Sequence, residues 1–279
     1  MTIKWFPGHM NTARKQIAEA MPKIDIVIEV LDARLPAASG NPLLADLRGQ
    51  KPFIKLLNKA DLADPQVTGN WIRFFERSGR GLRALAINAA NNKEASRLPK
   101  LCRSLVPQRG VPGRPLRVMV MGIPNVGKST LINTLAGKRI ARVGDRPAIT
   151  RSAQQIDLRN GVMLFDTPGI LWPNLEDQQG AYCLAASGAI GDNAMDYPSV
   201  ARFAVDYLMA RYSELLMRRY KIETLPATAD QLLEEIGRRR GCLEAGGRVD
   251  AQRAAEVLLR DLQSGRIGRI SLETPPEAD

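Results

Sequence analysis

Two short motifs, and the order in which they occur, constrain this chain more than any other feature. Gly122-Ile123-Pro124-Asn125-Val126-Gly127-Lys128-Ser129 is a complete G-x-x-x-x-G-K-S, and Asn58-Lys59-Ala60-Asp61, an N-K-x-D, stands well upstream of it. The first form needs a strand before it and a helix after it. Its glycines let backbone N–H groups converge on anionic oxygens at a helix amino terminus, where the helix dipole also favours negative charge. The surrounding sequence meets that need: Leu116-Arg117-Val118-Met119-Val120-Met121 reads as the feeding strand, and a helix is under way over Thr130 to Ala136. The second form follows directly on Phe53-Ile54-Lys55-Leu56-Leu57, a strand-like run, so it belongs at a strand's carboxyl end.

The residue types specify the chemistry. Asn125, Val126, Gly127, Lys128, Ser129 and Thr130 are expected to surround nucleotide phosphates, with Lys128 neutralising the β- and γ-phosphates and the Ser129 hydroxyl ligating Mg²⁺. Asn58, Lys59 and Asp61 supply a test of the base. The Asp61 carboxylate can accept from guanine N1–H and the 2-amino group, and the Asn58 amide can reach the N7/O6 edge. Adenine offers neither of the two donors, and sites built on such hydrogen bonds reject analogues lacking them by as much as ~10⁴–10⁵.

Three further segments complete the expected site. Asp166-Thr167-Pro168-Gly169 ends the strand-like run 161–165; Asp166 would face the metal through water, and the Gly169 amide would face the γ-phosphate. Thr150, in Pro147-Ala148-Ile149-Thr150, is the candidate for a first switch closing on Mg²⁺ through its hydroxyl, or else a turn residue. Asn88 and Ala89 stand where a second base-contacting loop is expected. The residue after the sensor is Ile170, which cannot orient water, so either the group that activates water comes from elsewhere or hydrolysis waits for a partner. His9, the single histidine, is one candidate, since imidazole accepts protons near neutrality; a structural role is the competing possibility. Asn125 is the other, as a ligand for K⁺ that would neutralise transition-state charge.

The rest of the chain organises around these motifs. Apolar runs at 24–31, 53–57 and 84–87 alternate with helical patterns at 11–21, 65–77 and 92–105, which argues for a parallel sheet with helices on both faces. Residues 107–115 hold three prolines and two glycines and read as the junction between two halves of one domain. From residue 178 helical periodicity takes over, at 178–190, 198–220, 229–239 and 250–264, with Asp230 and Asp250 as candidate caps and 274–279 as a loose end. The expected division is therefore 1–177, an α/β nucleotide domain, and 178–279, a small all-α domain.

Net charge is +11 and favours a polyanionic partner. The excess is local: residues 1–110 carry 18 Lys and Arg against 9 Asp and Glu, whereas residues 180–279 carry 13 against 15. Within that acidic background stand two basic runs, Arg218-Arg219-Tyr220-Lys221 and Arg238-Arg239-Arg240. Cys102, Cys183 and Cys242 lack metal-ligand spacing and read as reduced structural thiols; with no signal peptide or membrane-spanning run in the sequence, a cytoplasmic protein is expected.

In the usual Ras-like order the phosphate loop precedes the base reader, so the halves of the domain are exchanged here. The chain resembles the circularly permuted GTPases of the YlqF type, the ribosome biogenesis GTPase A family. The resemblance rests on Trp5-Phe6-Pro7-Gly8-His9-Met10, Asp32-Ala33-Arg34-Leu35-Pro36, Asn58 to Asp61, Gly122 to Thr130, Pro147 to Thr150 and Asp166 to Pro173. It implies a circularly permuted Ras-like P-loop GTPase domain followed by a helical domain that contacts rRNA. It also implies a hydrophobic residue in place of the catalytic glutamine, as at Ile170, and a histidine that aids hydrolysis, as at His9. The partners implied are GTP and GDP, Mg²⁺, and the large ribosomal subunit or its precursor, with no membrane and a monomeric state. Two classes of function follow: a GTP-hydrolysing assembly switch, or an RNA-binding assembly factor whose nucleotide site turns over little. A role in RNA modification is disfavoured, since no cysteine nucleophile or cofactor motif is present.

Overall fold

The computed structural model describes residues 10–79, 81–140, 154–167, 169, 178–191 and 196–276. They form two compact units, one built from the described residues up to 169 together with 273–276, the other from those between 178 and 272.

The first unit is a six-stranded sheet. Its strands are β1 (Ile26–Asp32), β2 (Phe53–Asn58), β3 (Leu82–Ile87), β4 (Leu116–Met121), β5 (Gln154–Asp157) and β6 (Val162–Asp166), in the order β3-β2-β1-β4-β6-β5. All neighbours are parallel except β5 with β6. Every residue of β1 is buried, on both faces, as a central strand of such a sheet requires. One of them, Glu29, is a charge in the middle of the sheet. Lys55 at 2.8 Å and the Asn41 backbone N–H at 2.8 Å satisfy its carboxylate. The sheet reverses strand order between β1 and β4, the place where open α/β folds bind ligands outside the strands' carboxyl ends. Both motifs sit there: Asn58 ends β2, and the glycine-rich loop follows β4.

The helices of this unit are α1 (Met10–Ala20), α2 (Leu43–Arg48), α3 (Pro65–Arg77), α4 (Asn92–Ala95), α5 (Arg97–Leu105) and α6 (Lys128–Ala136). α3 shows why they form where they do. Asp64 caps it by accepting from Gln66 and Val67 N–H, Pro65 occupies its first position, and Trp71 and Phe75 stack on its buried face with centroids 5.2 Å apart. Trp71 and Phe75 pack with Leu31, Ala33, Leu57 and Ala63. The described residues of the second unit form the helices α7 (Gln178–Ser187), α8 (Tyr197–Arg211), α9 (Ser213–Tyr220), α10 (Ala229–Arg239) and α11 (Ala251–Gln263), with one isolated antiparallel bridge between Leu243 and Val249.

Four details depart from expectation. The helix expected over 92–105 is two, because the chain turns at Ser96, and 198–220 is broken at Tyr212, whose φ of −137° leaves the helical region. β1 starts two residues late, because Met21–Lys23 form a 3₁₀ turn around Pro22. Thr228, not Asp230, caps α10; Asp230 instead pairs with Arg202 at 2.7 Å, while Asp250 does cap α11. Glu273, ahead of the expected loose end 274–279, is fixed within the first unit: its carboxylate accepts from Ala37 and Ala38 N–H, and its carbonyl accepts from Trp71 Nε1 at 3.4 Å.

Candidate functional site

The glycine-rich loop has the geometry its chemistry needs. Gly122 and Gly127 take φ of 149° and 99°, and Asn125 takes 60°, so the backbone curls back on itself before entering α6. A side chain on Gly122 would collide with the Val30 carbonyl. Lys128 opens α6, with Ser129 and Thr130 in its first turn, the part of a helix whose N–H groups have no intrahelical acceptor. The Lys128 ammonium is buried and donates to the Ile123 carbonyl at 2.7 Å, inside its own loop.

Asn58 joins three loops. Its Nδ2 donates to the Val126 carbonyl at 2.6 Å, and its Oδ1 accepts from Ala89 N–H at 2.8 Å. The end of β2, the glycine-rich loop and the loop after β3 are thus tied by one buried amide. Asn88 stands beside it, its N–H held by Glu94 at 2.7 Å and its side chain turned onto Ala90 N–H. Asp61 lies exposed beyond Lys59, free of the sheet, as a group facing a ligand must be.

A buried ion cluster lies behind Asp61. Arg34 donates from Nε and Nη2 to both oxygens of Asp32, at 2.9 and 2.8 Å, and Lys59 Nζ reaches Asp32 at 3.0 Å. Lys59 adopts φ of 60° to do so. Burial alone would raise the Asp32 carboxyl, but the charges of Arg34 and Lys59 outweigh it and hold Asp32 well below the usual carboxylate range. Arg34 also feels the charge of Asp61. The local signal for this cluster is two opposite charges, Asp32 and Arg34, closing a mostly apolar strand.

On the other side of the loop, Asp166 ends β6 and Thr167 donates from Oγ1 to the Val120 carbonyl at 2.9 Å. Gly169 lies against the phosphate loop: a Cβ there would stand 2.9 Å from Lys128 Nζ and 3.1 Å from Pro124 N, closer than side chains approach. Burial lowers the Lys128 ammonium to about 8, partly offset by Asp166, and raises the Asp166 carboxyl to about 6, opposed by Lys128 and by the Thr167 N–H. Two charged groups held at such cost, in a concavity of N–H donors, fit a site that becomes balanced when phosphate oxygens and a cation enter. The donor set suits Mg²⁺: a hydroxyl at Ser129 and a carboxylate at Asp166, both hard oxygens. His9, Thr150 and Ile170 lie outside the described residues.

Known proteins carry the same design. A family model described as a 50S ribosome-binding GTPase matches residues 117–209. The chain is 44% identical to Ribosome biogenesis GTPase A of Priestia megaterium, over 100% of this chain and 99% of that one. The chain belongs to the ribosome biogenesis GTPase A family. Its Thermotoga maritima relative of that name is 34% identical over 99% of this chain and 95% of the relative. Among solved structures, GNP-bound YlqF from T. maritima is 30% identical with a TM-score of 0.66, covering 96% of this chain and 100% of that one. GDP-bound YlqF gives a TM-score of 0.68 at 30% identity, over 93% and 99%. The protein is accordingly a circularly permuted P-loop GTPase that hydrolyses GTP and acts in ribosome assembly, and GTPases of this kind generally use Mg²⁺. Among the described residues no helix is long and apolar enough to cross a membrane.

Proposed function

We propose that this GTPase is an assembly factor for the large ribosomal subunit, which docks on the precursor particle with GTP bound and leaves on hydrolysis. The observation that carries the reading is the Asn58 amide, which locks the base reader to the phosphate loop and so makes guanine recognition and phosphate binding one event. In this reading Asp61 pairs with the guanine edge while Asn58, Lys59, Asn88 and Ala89 shape its pocket. The loop Asn125 to Thr130 cradles the phosphates, and Gly169 senses the last of them. Ser129, Asp166 through water and Thr150 hold Mg²⁺, and Asn125 is the residue for K⁺. His9 assists hydrolysis in place of the side chain that Ile170 lacks. The protein works in the cytoplasm as a monomer.

Sequence order then links nucleotide to docking. Only residues 170–177 separate the sensor from α7. Switch loops are ordered by γ-phosphate and metal contacts and relax on hydrolysis, so that relaxation acts directly on the attachment of the helical unit. The basic excess of residues 1–110 supplies a salt-sensitive attraction to rRNA. GTP turnover measured with and without purified large subunits tests the proposal. Slow turnover alone, raised strongly by the particles and lowered in His9→Ala with GTP binding intact, is expected. Turnover that ignores the particles would leave an RNA-binding factor with an idle nucleotide site.

A further inference from the structure

The two basic runs of the helical unit, far apart in sequence, meet at one carboxylate. Asp261 of α11 is 3% exposed. Arg219, in the last turn of α9, donates to both its oxygens at 2.8 and 2.9 Å, and the Tyr220 hydroxyl donates to it at 3.2 Å. Arg240, just past α10, places Nη2 3.6 Å from Oδ2, and Arg266, just past α11, places Nη1 3.6 Å from Oδ1. The Arg240 guanidinium also lies over the Tyr220 ring, 5.3 Å from its centroid.

The charges do not balance. Three guanidiniums converge on one carboxylate, which leaves two positive charges together on a small surface. Each arginine sits at or beyond a helix carboxyl end, where the dipole favours a cation. That explains why each is tolerated singly. It does not explain why all three are gathered against their mutual repulsion. The carboxylate lies at the bottom, with its side chain 4% exposed, and the guanidiniums lie above it with 25%, 32% and 65% of their side chains exposed. Asp261 thus acts as a buried peg that gathers three guanidiniums: Arg219 spends its Nε–Nη2 edge on it, while Arg240 and Arg266 each approach it through one terminal nitrogen and keep the rest of the group for solvent. Forked guanidiniums suit the paired oxygens of phosphate better than a point charge does, and the unbalanced charge favours a polyanion that releases its counterions on binding.

We propose that Arg219, Arg240 and Arg266 form a binding site for the phosphodiester backbone of RNA, held in register by Asp261 and Tyr220. The inference rests on the reading that the protein docks on large subunits, and names where the helical unit takes hold.

The test is binding of the full-length protein, with a non-hydrolysable GTP analogue, to purified large subunits and to protein-free large-subunit rRNA, over a range of salt. The double variant Arg240→Gln/Arg266→Gln removes the two looser, more exposed members. It should weaken both interactions roughly tenfold and make the plot of log K against log salt shallower by about 1 to 2, with GTP binding unchanged. Asp261→Asn adds a net positive charge but removes the peg, so it should weaken binding if the forks must be aimed. Stronger binding there would mean that charge alone matters, and the proposal would fall. If the double variant binds as wild type does while wild-type docking is itself firm, the cluster is an internal ion network and the docking reading stands. If wild type fails to dock, both fail. Loss confined to intact particles, with protein-free rRNA bound normally, would assign the cluster to a ribosomal protein and overturn the RNA assignment.

Discussion

The amide of Asn58 occupies the space that a side chain on Gly127 would need: a Cβ built on that glycine collides with Asn58 Nδ2. Each residue thereby fixes the other's identity, although the sequence separates them by most of a half-domain. Gly127→Ala should be doubly unfavourable, through this collision and through the strain of φ at 99°. Asn58→Ala should strand the Val126 carbonyl and the Ala89 N–H, at about 1–3 kcal/mol each. Both variants should lose GTP affinity by calorimetry, and Asn58→Ala should also unfold at lower denaturant. Wild-type GTP affinity in Asn58→Ala would show that the tie is incidental.

Burial of Lys128 and Asp166 is a cost to the fold, with a defined pH signature. Lys128 has a lowered folded pKa of about 8, so between about 8 and its ordinary value the unfolded chain binds more protons and stability rises with pH. Lys128→Met should therefore stabilise the nucleotide-free protein below about pH 8, lose that advantage as pH climbs above it, and abolish GTP binding. Asp166 has a raised folded pKa of about 6, so stability falls as pH rises from the ordinary carboxylate value to about 6. Asp166→Asn should gain on wild type across that window and keep its gain above it. Thermal melts of the nucleotide-free variants across pH decide both signs.

Arg34 should matter to stability as much as to the site. Arg34→Met keeps most of the volume but leaves the buried Asp32 carboxylate to Lys59 and the backbone N–H of residue 34, and breaking a buried pair in this way costs about 3–5 kcal/mol. Asp32 titrates below its ordinary value, so its contribution is full at neutral pH and is lost as pH falls through the acid range. The penalty of Arg34→Met in chemical denaturation should shrink in step. A penalty independent of pH would point to packing instead.

Much of this was legible in the sequence, for physical reasons. The glycine-rich loop, the N-K-x-D and the Asp166 to Gly169 segment are local arrangements of glycines and charges next to apolar runs, and a run such as Ile26 to Leu31 buried on both faces needs no tertiary information to recognise. β5, the antiparallel edge strand, escaped because Gln154-Gln155-Ile156-Asp157 is mostly polar and takes its ladder pairing from β6. The Asp32–Arg34–Lys59 cluster, the Glu273 anchor and the gathering of arginines on Asp261 escaped because their partners are distant in sequence or look like ordinary surface charge. Asp230 was misread as a cap because Thr228, two residues earlier, does that work and frees Asp230 for Arg202.

Base selection should rest on Asp61. Asp61→Asn turns one acceptor oxygen into a donor, which no longer matches the guanine N1–H and 2-amino pair but can meet the extra carbonyl of xanthine. Competition binding should show a shift from guanine towards xanthine nucleotides, with the fold unchanged because Asp61 is exposed. Equal binding of ATP and GTP by the wild type would remove the base reader altogether.

The most direct measurement is cosedimentation of the full-length protein with large ribosomal subunits in the presence of a non-hydrolysable GTP analogue, of GDP, or of no nucleotide. Firm, salt-sensitive binding with the analogue and weak binding with GDP is the expected result. Equal binding in all three conditions, or binding strongest with GDP, would contradict a switch that docks in the GTP state and leaves on hydrolysis.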